Sequence, residues 1–481
     1  MIAAEPSRKA LRTWPLWIAV PASSLALATY PVAALLLRIW RRPGPYFGFL
    51  AVVTVTVLRE TASGAALIPP ELLVCLCFLV LAVLQGGSRR MVRAWLRNQA
   101  PLWLYVFVCA VDVFLVLYQR DAAGWPYVAG HVAFLMVILT TVGLCETELT
   151  ASDVLAGMAW GVGLFGLLTV IHACQIVDLP FAARIGGVRT FGSIRMPVGR
   201  TMGLDMSPGK VGIFGAIGLS LVIASFGRKE PLLRRAWARV LLLPLAGAAV
   251  LISQSRTAYL TMMAAIGFSA FFALSRSRQR PWFGRTRGAW CLTVAYSVFL
   301  ALGAALLPVL APVSMLSAGS QHTVQNVMLR YTSNVIGWEL FRNSPLVGVG
   351  LGSFENVSFA PGGIHNHFWA QFVATGLLGG IPYLLFHMLI LVQALSLAGR
   401  GAGKRRSIAC AVSAAMMATY LAFQSFAGYF TSSLAILCGL VLSLSAQGGA
   451  SGVAPAPALT PPANANPAAG IPLAPARPGP R

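Results

Sequence analysis

The chain has 481 residues, 57% of them hydrophobic and only 10% charged, with a mean hydropathy of +0.75. A soluble domain carries roughly 25% charged residues, so a water-soluble globular fold is excluded and an integral membrane protein is implied. The net charge of +23 first suggests nucleic acid, but the basic residues cluster in short loops between apolar runs, where topology accounts for them and no nucleic acid is needed.

Crossing the hydrocarbon takes about 20 apolar helical residues. Such runs lie near 15–37, 46–58, 70–85, 101–118, 127–144, 154–177, 208–226, 240–254, 257–274, 289–309, 368–396, 408–426 and 429–446. The second, third and eighth are short, so the expectation is an all-α polytopic fold with 12 or 13 spans. Five basic clusters separate them: Arg38/Arg41/Arg42, Arg89/Arg90/Arg93/Arg97, Arg228/Lys229/Arg234/Arg235/Arg239, Arg276/Arg278/Arg280/Arg285/Arg287 and Arg400/Lys404/Arg405/Arg406. If the helices alternate, all five fall on one side, which the positive-inside rule makes cytoplasmic. Thirteen spans would leave Arg8, Lys9 and Arg12 outside. Either the first run, interrupted by Pro21 and Pro31, is re-entrant or interfacial, or two short runs form one element.

The N-terminus has no small-residue cleavage site after a short apolar core and reads as an uncleaved first segment. The eight cysteines sit in or at the ends of apolar runs without zinc spacing and read as small membrane hydrophobes. From about Ser451 the tail is Pro/Ala-rich, a composition expected to be disordered. The expected organisation is membrane helices over 1–177, helices with a basic outer loop (178–210) over 178–310, a long outer loop over 311–366, further membrane helices over 367–447, and the tail 448–481.

Alternation places three loops on the outer face: 178–210, the 255–256 turn and 310–366. The first carries Arg184, Arg189, Arg195, Arg200 and Lys210 against Asp178 and Asp205. Five cations there run against the topological bias. They read as a phosphate-binding surface, the plainer alternative being that a loop of about thirty residues tolerates some charge. Arg256, in Ser253-Gln254-Ser255-Arg256-Thr257-Ala258-Tyr259, lies between two apolar runs. An arginine there is expensive unless paired, so it reads as a ligand contact, with snorkelling as the alternative.

In the long loop, Val327, Tyr331, Val335, Trp338 and Phe341 recur at helical spacing, with Arg330, Asn334 and Arg342 between them, which predicts an amphipathic interfacial helix. Gly348-Val349-Gly350-Leu351-Gly352 then ends it. No strand precedes this stretch and no helix opens from it, so it is a turn permitting close backbone approach rather than a dinucleotide fingerprint. His131, His172 and His387 fall inside apolar runs and read as interhelical hydrogen-bonding residues. His322 has no visible partner. The spacing of His365 and His367 puts them on different helix faces, and no acidic or cysteine cluster completes a metal site, so no metal is expected.

The most informative stretch is Ile364-His365-Asn366-His367-Phe368, at the junction of the glycine-rich loop and a long apolar run. Histidine exchanges a proton near neutral pH, and arginine forks onto phosphate oxygens. With Arg330 upstream, the loop is equipped to activate a hydroxyl beside a phosphorylated lipid.

These residues resemble the O-antigen ligase and polymerase superfamily of bacterial inner-membrane glycosyltransferases. The resemblance is carried by Arg330, Pro345-Leu346-Val347-Gly348-Val349-Gly350, His365-Asn366, Phe368 and Gly376-Leu377-Leu378-Gly379. Ser255-Arg256-Thr257-Ala258 is similar to the family's Ser-Arg turn, and Arg200-Thr201-Met202-Gly203 with Ser207-Pro208 to its Arg-x-x-Gly…Asn-Pro stretch. The match covers about 190–385. Thr375 and Ser207 stand where Glu and Asn are usual, and the tryptophan downstream of the arginine is displaced to Trp338.

The resemblance implies a GT-C-like membrane fold with a periplasmic helical loop. It also implies a glycan donor on undecaprenyl diphosphate and an acceptor hydroxyl on lipid A-core or another glycan, with no cofactor. It makes His365 the general base, supported by Asn366. It assigns Arg256, Arg200 and Arg330 to the diphosphate, with Arg189 and Lys210 as weaker contacts. Direct displacement would invert the anomeric centre. The alternatives are a repeat-unit polymerase of the same superfamily, or a flippase or transporter for lipid-linked glycan, which would bring charges lining a central path and internal repeats.

Overall fold

The computed structural model describes residues 34–54, 70–120, 124–174, 187–191, 194–198, 208–226, 231–253, 256–275, 281–317, 321–351, 366–422 and 432–448. The principal α-helices among these residues are α1 (Pro43–Val53), α2 (Pro70–Leu84), α3 (Gly87–Arg97), α4 (Gln99–Gln119), α5 (Trp125–Leu144), α6 (Glu148–Ala173), α7 (Pro208–Ile223), α8 (Ala236–Ser253), α9 (Arg256–Leu274), α10 (Thr286–Ser317), α11 (Gln321–Asn343), α12 (His367–Arg400), α13 (Gly403–Ala422) and α14 (Ser432–Gly448). The protein is a helical, polytopic membrane protein. The bundle is all-helical as expected; the loop after α6 adds one small antiparallel hairpin, Gly187–Phe191 with Ile194–Val198, that pairs Arg189 with Met196.

Among the described residues, six helices are long and apolar enough to cross a bilayer: Gln99–Gln119, Trp125–Leu144, Glu148–His172, Ala236–Ser253, Thr257–Leu274 and His367–Arg400. The bent pair Leu72–Leu84 and Gly87–Arg97, at 99°, makes a seventh if counted together. Pro43–Val53, Ile213–Ile223, Thr286–Leu302 and Ser432–Gln447 are shorter apolar helices. The first apolar run, near 15–37, lies largely outside the described residues.

Two helices occupy the middle of the bundle. Ser407 to Tyr420 in α13 and Ser432 to Leu444 in α14 are buried on every side. A helix apolar all round is expected where protein surrounds it on all faces. Around them, α4 packs along α12, α5 along α14, and α7 against α8, α9 and α13, while α6 joins α1 to α8. Close approach between α1 and α6 depends on small residues, since a Cβ on Gly157 would lie 2.0 Å from the Pro45 carbonyl oxygen and one on Gly48 2.1 Å from that of Val154.

The described members of the basic clusters gather at one end of this bundle and perform a local task there. The last carbonyls of a helix lack intrahelical partners, and cations complement the negative helix terminus. Arg90 Nε donates to Gly143 O at the end of α5 (2.8 Å), and its Nη1 lies 3.1 Å from Glu146. Arg239 donates to Ser225 O after α7 (3.1 Å), and Arg406 to Ser275 O after α9 (3.3 Å). Arg97 and Arg405 donate to Ala446 O and Leu444 O in the last turn of α14. Arg42 grips Asp153 through Nε (2.7 Å) and Nη2 (2.5 Å), and this hydrogen-bonded carboxylate raises the guanidinium pKa further. The amphipathic α3, carrying Arg89, Arg90, Arg93 and Arg97, turns away from α2 at this same end.

Candidate functional site

The end of the bundle away from the basic cluster is organised by two glycines. Gly348 and Gly376 both adopt positive φ (68° and 62°), a region L-residues avoid. The turn after α11 lies against the middle of α12 through four backbone hydrogen bonds. Val349 N and Gly350 N donate to Val373 O and Ala374 O, both at 3.0 Å. In return Leu377 N donates to Pro345 O at 2.8 Å and Leu378 N to Leu346 O at 3.0 Å. A Cβ on Gly348 would sit 2.4 Å from Ala374 O, and one on Gly376 2.3 Å from Leu346 O. The expected turn for close backbone approach is therefore present, and what it approaches is the second glycine stretch, Gly376-Leu377-Leu378-Gly379. Ser344 Oγ steadies it by donating to Gly348 O (2.8 Å).

Gly376, at ψ −159°, also breaks α12. The apolar run read near 368–396 is thereby two helical segments, and the first folds back on the second. An unbroken helix would separate His367 from Tyr383 by about 24 Å. Instead His367 Nε2 and Tyr383 Oη are 2.8 Å apart. The Phe368 ring is 5.7 Å from that of His387, and Phe372 packs on Gly380. Asn366 caps the short segment by accepting from Trp369 N (3.0 Å). The positive end of this half-helix, with Asn366 and His367 both buried, thus lies inside the bundle.

A cavity of about 620 Å³ opens beside it, between α10, α11, α12 and α13. Asn366, Phe368, Trp369 and Phe372 line it from the short segment, with Leu384, His387, Met388 and Leu391 from the long one. Tyr296, Ser297, Leu300 and Ala301 come from α10, Asn334 and Trp338 from α11, and Tyr420 from α13. Trp338 stacks on Trp369 (ring centroids 5.9 Å) and Phe341 lies 5.3 Å from the same ring, which docks α11 on the half-helix. A helix is therefore present where one was expected, over Val327–Phe341, but without the expected amphipathic pattern; Val335 and Trp338 are partly exposed.

Behind the half-helix lies a buried polar cluster whose members no sequence motif links. Asp112 on α4 is fully buried, and its Oδ2 is 2.9 Å from Nδ1 of His131 on α5, ion-pairing distance. The His131 ring stacks on Tyr105 (6.0 Å) and lies 5.9 Å from that of Tyr383. His387 Nδ1 is 3.1 Å from Tyr420 Oη, which joins α12 to α13. The interhelical roles expected for His131 and His387 are those seen. A signal for Asp112 existed: it is the one acidic residue in the apolar run 101–118.

Of the residues expected at the site, Asn366 is placed in full. The backbone sets Arg256 at the first position of α9, Lys210 in the first turn of α7, Arg189 in the hairpin and Arg330 within α11, one turn before Asn334. The side chains of these four, and all of His365 and Arg200, lie outside the described residues. No protein-family model matches the chain, and no curated protein matches it.

Proposed function

We propose that the protein is a membrane glycosyltransferase of the O-antigen ligase and polymerase type. On this reading it moves a glycan from undecaprenyl diphosphate to an acceptor hydroxyl on lipid A-core or another surface glycan. It sits in a bacterial inner membrane with about 12 spans, its basic end in the cytoplasm and the 310–366 loop in the periplasm. His365 takes the acceptor proton. Arg256, Arg200 and Arg330, with Arg189 and Lys210 further out, hold the departing diphosphate, and neither metal nor nucleotide sugar is needed.

The observation that carries the reading is the clasp. Two stretches singled out by the resemblance, Pro345–Gly350 and Gly376–Gly379, are joined at the break in α12 by backbone hydrogen bonds between residues 24 and 32 apart in sequence, and hold the residue after His365 at the positive end of a half-helix, beside a cavity. That end favours negative charge, as a diphosphate requires. The same broken helix also favours the transporter reading, because transporters build midplane sites from discontinuous helices.

The deciding experiment is transfer from purified undecaprenyl-diphosphate glycan by the reconstituted protein. Wild type should transfer with or without EDTA. His365→Ala should lose roughly 10²–10⁴ in rate with normal insertion, and His367→Ala much less. Equal rates for His365→Ala and wild type would remove the general base, and flux of intact donor across the bilayer without transfer would establish the transporter. In a deletion strain, unligated polymer would mark a ligase and single repeat units a polymerase.

A further inference from the structure

A second cavity, of about 390 Å³, lies at the basic end of the bundle, in the corner where α3 turns away from α2. Gln85, Arg89, Arg90 and Arg93 line it from that corner, Glu146 from just past α5 and Gln447 from the last turn of α14. Its charges do not balance, since three guanidinium groups share one carboxylate. Arg90 is engaged with Glu146 (3.1 Å) and Gly143 O (2.8 Å), and Gln447 Nε2 with Cys145 O (3.2 Å). Arg89 and Arg93 are exposed, and among the described residues they have neither a hydrogen bond nor an ion pair.

The helix that carries them has the character of one lying along a membrane surface. It bends 99° from α2. Met91, Ala94 and Trp95 pack on the bundle, while Val92 and Leu96 are 58% and 63% exposed. At about 100° of rotation per residue, Arg89 and Arg93 fall between these exposed apolar residues and the cavity-lining Arg90 and Ala94. Trp95 meets the exposed Trp103 edge-on at 5.2 Å, and exposed tryptophans are characteristic of the membrane–water interface.

An exposed apolar strip, two unengaged guanidinium groups and a polar cavity follow one another across this surface. Acyl chain, phosphate and headgroup follow one another in the same order along a phospholipid. Guanidinium forks onto phosphate oxygens, and basic pockets between membrane helices take anionic head groups. Glu146 is already held by Arg90, so the ammonium of a zwitterionic headgroup would enter an arginine cluster with no carboxylate to receive it. We propose that the α2–α3 corner binds an anionic phospholipid, with its phosphate between Arg89 and Arg93, its headgroup in the cavity and its chains along Val92 and Leu96. The site is at the opposite end of the bundle from the α12 clasp, and it stands whether or not the transfer reaction does.

The test titrates the full-length protein, in maltoside micelles, with phosphatidylglycerol, phosphatidylcholine of the same chains, or soluble glycerol 3-phosphate. Native mass spectrometry counts the lipid retained. Wild type should hold phosphatidylglycerol at concentrations where phosphatidylcholine is lost, and glycerol 3-phosphate should not displace it. An arginine at a lipid surface accounts for about a fivefold factor, so Arg89→Gln/Arg93→Gln should weaken retention about 25-fold. Arg89→Lys/Arg93→Lys, which keeps the charge without the fork, should recover part of it. Arg234→Gln/Arg235→Gln removes equal charge from exposed positions in another of the basic clusters and should leave retention unchanged. Equal retention of the two lipids by wild type, displacement by glycerol 3-phosphate, or an equal loss in the Arg234/Arg235 variant would each overturn the proposal. Should the Arg89/Arg93 variants fail to fold, the comparison of the two lipids on wild type decides alone.

Discussion

Gly376→Ala is the sharpest perturbation of the site that leaves every side chain in place. At φ 62° and ψ −159° the residue occupies backbone space that is close to glycine-only, so a Cβ there costs about 1–3 kcal/mol before any contact is considered. That Cβ would then lie 2.3 Å from Leu346 O and 2.4 Å from Leu346 C, both backbone atoms that no rotamer change can move. Ordinary contact begins near 3.4 Å, so the turn must retreat by about 1 Å. The bonds from Leu377 N to Pro345 O and from Leu378 N to Leu346 O are the first to lengthen, at about 0.5–1.5 kcal/mol each. The expected destabilisation is about 2–6 kcal/mol, confined to the α11–α12 clasp. Gly267→Ala is the control: it is helical, a Cβ there meets nothing within 4 Å, and it should be neutral or slightly stabilising. Thermal unfolding of both variants in detergent, read by tryptophan fluorescence, makes the comparison, and Trp338 and Trp369 report locally because they stack beside the clasp. Transition temperatures for Gly376→Ala and Gly267→Ala that agree with wild type would refute the clasp.

Two of the carboxylate pairs should differ sharply in what they contribute. Asp112→Ala strips a fully buried partner from His131 and should cost about 3–5 kcal/mol, whereas Asp153→Ala releases an Arg42 whose side chain is 55% exposed and should cost about 1 kcal/mol or less; chemical unfolding of each variant measures both. Orientation is tested with single cysteines in a cysteine-free background. Asn343→Cys, exposed at the end of α11, should label with an impermeant maleimide in intact spheroplasts, and Ser88→Cys, exposed among the basic residues of α3, only after lysis; the reverse pattern would invert the protein. Arg256→Ala should abolish transfer without loss of insertion, and Arg256→Lys should recover little, because an ammonium lacks the bidentate fork. Full activity in the lysine variant would leave Arg256 a charge only.

Much of the fold was legible because helices that cross a membrane must bury their backbone polar groups internally, so hydropathy alone marks them. The basic clusters were legible as a group because cations concentrate in the short loops at one side of such helices. Their individual partners were not, since which helix end Arg97 or Arg406 caps depends on packing between segments far apart in sequence. Hydropathy also concealed the break in α12. Residues 368–396 are apolar on both sides of Gly376, and a hydropathy window cannot distinguish one long helix from two short ones. The polar loop after α6 gave no warning of its hairpin, which spans only five residues per strand.

The site was legible in its motifs but not in its geometry. Gly348 and Gly376 were both visible, the first in a turn and the second as part of a family-like stretch, yet nothing along the chain says that a Cβ on either would run into the backbone at the other, 2.6 Å from its amide nitrogen in both cases. Only the reciprocal bonds reveal them as one device. The same holds for the histidines. His131 and His387 read correctly as interhelical bridges, but their partners, Asp112 and Tyr420, come from other helices, and the fold-back at Gly376 is what brings His367 and Phe368 to them. A backbone break thus converts residues scattered along four helices into a polar cluster with a cavity in front of it. The glycine that permits the break is therefore as much a part of the site as any residue that would touch a ligand.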